Sequence, residues 1–141
     1  MITYNAIDTT LPDISPAATT AWLRQVARAH GKTIGEIAYI FTSDEEILRI
    51  NREFIGHDYY TDHIGFDRSL RGILSADIYI SLDTVRTNAE LFSRPYEEEL
   101  HRVIAHGLLH LCGITDKSPE ERAVMETAEN EALALLPSRQ A

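Results

Sequence analysis

The sequence predicts one α+β domain spanning residues 1–141: a small mixed sheet of about four strands packed with about five helices. Three observations predict it. The 141 residues suffice for a single core without disulfides or structural metals. The apolar periodicity reads as the order βαβαββααα, which suits one mixed sheet with helices mainly on one face. No repeats, linkers or low-complexity tracts interrupt that order.

Each element has its own cause. Ile2 to Ile7 reads as a short strand. Ser15 caps a helix with Pro16 at its first position, a favoured pairing. That helix runs to about His30, where Gly31 ends it, and its stripe of Trp22, Leu23, Val26 and Ala29 places Trp22 in the core. Glu36 to Thr42 is a buried strand. Ser43-Asp44-Glu45-Glu46 is a capping box opening a second helix to about Phe54. Gly56 to Tyr60 is a polar turn. Residues 61–66 and 74–82 are two more strands, joined by a loop with Arg68, Arg71 and Gly72 that reads as a solvated hairpin tip. Thr84 to Phe92 is helical, and Pro95 starts a helix ending near Cys112. Ser118-Pro119-Glu120-Glu121 is a second capping box, opening a last helix to about Leu135.

Composition narrows the function. The first residues have neither a basic region nor an apolar run, so they are no signal peptide. No stretch approaches membrane-spanning length, and one cysteine excludes an internal disulfide framework. A cytoplasmic protein with no membrane partner is expected. The net charge of −9 argues against a general nucleic-acid binder, and no DNA partner is expected. Much of the acid lies in the last helix, whereas the basic residues are scattered, so a local basic cleft stays open to test.

Chemistry concentrates in His106-Gly107-Leu108-Leu109-His110-Leu111-Cys112-Gly113-Ile114-Thr115-Asp116. Histidines four apart on a helix lie on one face, about 40° apart at ~100° per residue. Both can reach one metal ion. The helix is apolar around them, where imidazoles without partners are costly. Gly113 can end the helix in a left-handed conformation, and the returning loop offers Asp116 as third ligand. Three protein ligands leave a position open, as a catalytic site needs. Zinc suits such a set, and other divalent transition metals fit it too. Gly107 stands where a His-Glu-x-x-His protease carries its general base, which disfavours that mechanism. Cys112 points away from the pair and reads as a packed thiol.

Residues 106–113 resemble the His-Gly-x-Leu-His-Leu-x-Gly-Tyr-Asp-His motif of the YbeY family. Thr61-Asp62-His63-Ile64-Gly65-Phe66 resembles that family's Thr-Asp-Val-Leu-Ser-Phe strand, and Asp77-Ile78-Tyr79-Ile80-Ser81 its Gly-Asp-Ile-x-Ile-Ser strand, with Ala76 in the glycine's place. Order and spacing agree over roughly residues 45–135. The resemblance implies a metal-dependent, single-strand-specific endoribonuclease of ribosomal RNA processing, with ribosomal RNA and the small ribosomal subunit as partners. Three departures stand out. Position 116 is Asp where the family has its third histidine ligand, Ile55 replaces an arginine, and Gly65 replaces a serine.

The lost arginine leaves the charge developing on the phosphoryl oxygens without its usual cation. Arg102, four residues before His106 on the same helix face, is the expected catalytic substitute. Its competing role is an ion pair with Glu98 or Glu99. Asp62 and Asp77 are expected as strand-end acceptors rather than carboxylates orienting a histidine. His63 is expected as a half-exposed strand histidine rather than a cleft residue, and His101 outside the site. Two other functions compete: a non-catalytic ribosome-associated factor with a structural metal, and a metal hydrolase of another substrate class.

Overall fold

The computed structural model describes residues 1–55 and 63–137. Its elements are β1 (Ile2–Ile7), α1 (Pro16–Ala29), β2 (Thr33–Thr42), α2 (Asp44–Ile50), β3 (His63–Asp67), β4 (Ile73–Ser81), α3 (Leu82–Leu91), α4 (Tyr96–Leu111) and α5 (Pro119–Ala134). The sheet order is β1-β2-β4-β3. β1 and β4 run parallel to β2, and β3 runs antiparallel to β4. This is the expected single α+β domain with a mixed four-stranded sheet and five α-helices. The expected turn at 56–60 and Asp62 lie outside the described residues.

Alternation along the strands divides the sheet into two faces. On β4, Leu74, Ala76, Ile78 and Ile80 are buried, and on β2 so are Ile37, Tyr39 and Phe41. These meet Trp22 and Leu23 of α1, Leu100, Ile104 and Leu108 of α4, and Met125 and Ala128 of α5 in the main core. The opposite face carries a smaller cluster of Ile47 and Ile50 from α2 against Ile64, with Phe66 and Tyr79 beside it. Buried polar groups tie the helices together. The Trp22 indole N–H donates to the Ala132 carbonyl at 2.8 Å, and the Tyr39 hydroxyl to that of Ile104 at 2.9 Å.

Local differences from expectation have physical causes. β2 starts at Thr33 because Thr33 and Ile34 pair with Ile73 and Leu74 before a register shift. Helix α3 follows β4 directly, since Ser81 caps it by accepting from the Thr84 N–H at 3.3 Å. Ser43 does cap α2, but Glu46 forms ion pairs with Arg49 instead of completing the box. The chain then widens into a π-helical turn, Asn51–Ile55. Apolar spacing over so short a segment cannot distinguish this turn from a continued α-helix. The capping box at Ser118 and Glu121 forms as expected.

Candidate metal centre

Helix α4 lies across the sheet with Gly107 against Ile78. A Cβ on Gly107 would stand 3.1 Å from Ile78 Cγ2 and 3.3 Å from its Cδ1. The glycine thus lets the helix approach β4 closely and brings His106 and His110 down to the sheet's edge. The helix ends in a Schellman arrangement: the Gly113 N–H donates to His110 O and the Ile114 N–H to Leu109 O. Gly113 sits at φ +102, a value that an L side chain tolerates poorly. This turn returns Asp116 to the helix.

The three expected ligands come together. Asp116 Oδ2 is 3.3 Å from His106 Nε2 and 3.5 Å from His110 Nε2. Donors about 2.0–2.1 Å from a tetrahedral ion stand about 3.3 Å apart, so both measured edges fit one ion between them. Two imidazoles and a carboxylate are also a donor set that zinc and its neighbours accept. Burial, reinforced by His106 and His63 and opposed by Asp116, holds the His110 imidazole below its ordinary value. That favours the neutral form, which offers a lone pair to a metal.

His63 departs from expectation. Its register partner is Ile80, so it projects from the sheet face that α4 covers. Its ring centroid is 4.8 Å from that of His106 and 5.5 Å from that of His110. Ligand atoms of the three histidines lie within 4.8 Å of one another, a group that could itself hold a metal ion. His63 is half-buried, as expected, yet it lines a cleft of about 230 Å³ with Gly65, Asp67, Gly107 and His110. The clue was its replacement of an apolar residue in a strand leading into the motif.

Arg102 also departs from expectation. It shares a helix face with His106, but that face packs on α5. Its side chain is only 11% exposed, and it is absent from the cleft lining. It donates to Glu129 Oε1 at 3.1 Å and Asn130 Oδ1 at 3.0 Å; Glu98 is 3.9 Å away. The other oxygen of Glu129 meets His106 Nδ1 at 2.6 Å. Glu129 was not anticipated as a site residue, although the sequence hints at it: a carboxylate set within the apolar stripe of Met125, Ala128 and Ala132.

The remaining candidates lie apart from the cluster. Asp77 pairs with Arg68 at 3.3 Å. His101 stacks edge-on against Trp22 and bonds to the Glu97 carbonyl. Burial pushes the Cys112 thiol up to about 11, in keeping with a packed, unreactive side chain.

The family model described as endoribonuclease YbeY matches residues 5–137. The chain belongs to the endoribonuclease YbeY family. It is 57% identical over 136 residues to endoribonuclease YbeY of Phocaeicola vulgatus, covering 96% of this chain and 99% of the relative. It is 58% identical over 134 residues to that of Bacteroides thetaiotaomicron, covering 95% and 98%. A solution structure of a Thermotoga maritima protein superposes with a TM-score of 0.62 over 100% of this chain and 99% of that chain. At 23% identity it speaks for the fold alone. The family's activity, metal-dependent hydrolysis of RNA phosphodiester bonds in ribosomal RNA processing, is the activity this domain serves.

Proposed function

We propose that His106, His110 and Asp116 hold one zinc ion with which this YbeY-family protein cleaves single-stranded ribosomal RNA. We place this work on the small ribosomal subunit in the cytoplasm. The observation that carries the site assignment is the convergence of two imidazole Nε2 atoms on one Asp116 oxygen at 3.3 and 3.5 Å. A divalent ion supplies Lewis acidity for phosphodiester hydrolysis. The protein's own groups do the rest. Glu129 accepts from His106 Nδ1, which fixes the tautomer and aims Nε2 at the ligand site. Arg102 holds the second oxygen of Glu129 and is a positioning residue, not a contact to RNA. His63 lines the cleft beside the ligands and can carry a proton to or from the reacting phosphate. Asp116 brings a negative charge where relatives of the motif's usual form have a neutral imidazole, which weakens the ion as an electrophile.

A second reading rests on His63. As a fourth protein ligand it would close the coordination shell and make the metal structural. Labelled ribosomal RNA, incubated with and without chelator, separates the two. Chelator-sensitive cleavage by the parent, with full metal retained and cleavage slowed in His63→Ala, supports the open site. Full metal retention with no cleavage of any RNA refutes the enzymatic assignment. Elemental analysis of the purified protein tests zinc, and co-sedimentation with small subunits tests the partner.

A further inference from the structure

We propose that Arg24, Arg28 and Lys32 form a second, non-catalytic contact for the RNA strand, gripping its phosphate backbone outside the cleft. The inference rests on the RNA-cleaving reading above and extends it to a surface that takes no part in chemistry.

The argument begins with charge. In a chain of net charge −9, five of the ten described arginines are neutralised in ion pairs. Arg49 pairs with Glu46 and Glu53, Arg68 with Asp77, Arg86 with Asp83, Arg94 with Glu99 and Arg102 with Glu129. Among the described residues Arg24, Arg28 and Lys32 have no such partner, nor do Arg71, Lys117 and Arg122, but the first three alone gather round one shallow cavity of about 160 Å³, with Thr33 and Ile34. Arg24 and Arg28 are exposed and one turn apart on α1. Like charges at this spacing repel and weaken a helix, so the pair is an electrostatic cost until an anion occupies the groove. Gly31, at φ +72, turns the chain so that Lys32 extends the row.

Position links the row to the metal centre. His30, at the end of α1, lines a common cavity with Ile114, in the loop that carries Asp116. The basic row thus ends beside His30, which meets the loop leading from α4 to Asp116. Among the described residues the cleft lining contains no lysine or arginine, which leaves the grip on the RNA backbone to cations outside it. A polyanion with charges repeating every few ångströms matches a row of cations spaced by helical turns of about 5.4 Å. A folded acidic protein would need an apolar centre to bind stably, and three cations around Thr33 and Ile34 provide little.

The test uses the metal-loaded full chain and a 2′-O-methyl single-stranded 20-mer, which is bound without being cut. Each phosphate contact contributes about 0.7 to the slope of log affinity against log salt for single strands. The variant Arg24→Gln/Arg28→Gln/Lys32→Gln should shallow that slope by about 2. Between 50 and 200 mM salt the parent should then lose about 20-fold more affinity than the variant. A control, Arg86→Gln/Arg122→Gln, should keep most of the parental slope. Turnover of a substrate too short to reach the row should be unchanged. A parental slope in the triple variant overturns the proposal, as does an equal drop in the control. Loss of binding to phosphatidylglycerol vesicles, with the RNA slope intact, would reassign the row to a membrane surface. If the parent cleaves no RNA but the slope still changes as stated, the enzymatic reading fails while the contact stands.

Discussion

Replacing Glu129 by glutamine probes the link between the helix pair and the metal site. Both carboxylate oxygens are committed: Oε1 accepts from Arg102 and Oε2 from His106. Glutamine has one acceptor oxygen and an NH₂ that only donates. It can satisfy one donor and must leave the other facing an N–H. A buried group left unsatisfied costs about 1–3 kcal/mol. Removing one partner of a fully buried ion pair costs about 3–5 kcal/mol. Arg102 is 11% exposed and keeps Asn130 and Glu98, so about 2 kcal/mol is expected, a fall of about 6–10 °C in melting temperature for a domain of this size. His106 would lose its orienting partner, a change that typically lowers metal affinity about 10–100-fold. Competition with a chromophoric chelator reads the affinity, and a melt in the presence of chelator reads the fold apart from the metal. Parental metal affinity in a variant that melts low would show that Glu129 is only a structural counterion. Parental values in both assays would refute the coupling altogether.

Other outcomes follow from the same geometry. His106→Ala/His110→Ala should lose the metal yet fold, because Leu100, Ile104 and Leu108 bury the opposite face of α4; full metal occupancy by elemental analysis would refute the ligand assignment. Asp116→His should still bind metal and cleave labelled RNA at least as fast as the parent, because it replaces a charged ligand with a neutral one; a folded variant without metal would show a loop built for the shorter carboxylate. Arg102→Ala should lower the melting temperature by several degrees, since it strands Glu129, and should weaken metal binding with it; an unchanged melt would contradict the buried pairing. Gly107→Ala should destabilise the domain by about 1 kcal/mol, because crowding against the rigid Ile78 outweighs the helix-propensity gain; a stabilised variant in thermal denaturation would show that Ile78 yields.

Much of this was legible beforehand because it is local. Caps at Ser15 and Ser118, the glycine stop at Gly113 and the alternation on β4 each depend on residues within a few positions. The convergence of His106, His110 and Asp116 was legible for the same reason, being one helix face and the turn that ends it. What escaped was non-local. Whether His63 faces α4 depends on its register opposite Ile80, and a slip of one residue would send it to the other face. The fate of Arg102 depended on which neighbour covers its helix face, and α5 does so with Glu129. The same four-residue spacing that suggested a shared site with His106 placed both on one carboxylate instead.

That carboxylate comes late in the chain. A polypeptide grown as far as Lys117 already contains both imidazoles and Asp116, but not the group that aims His106. It also lacks the Ala132 carbonyl that receives the Trp22 indole. Because a domain generally folds as a unit, docking of α5 completes the core and this cluster together. The last helix therefore couples closure of the core to the hydrogen bond that orients His106.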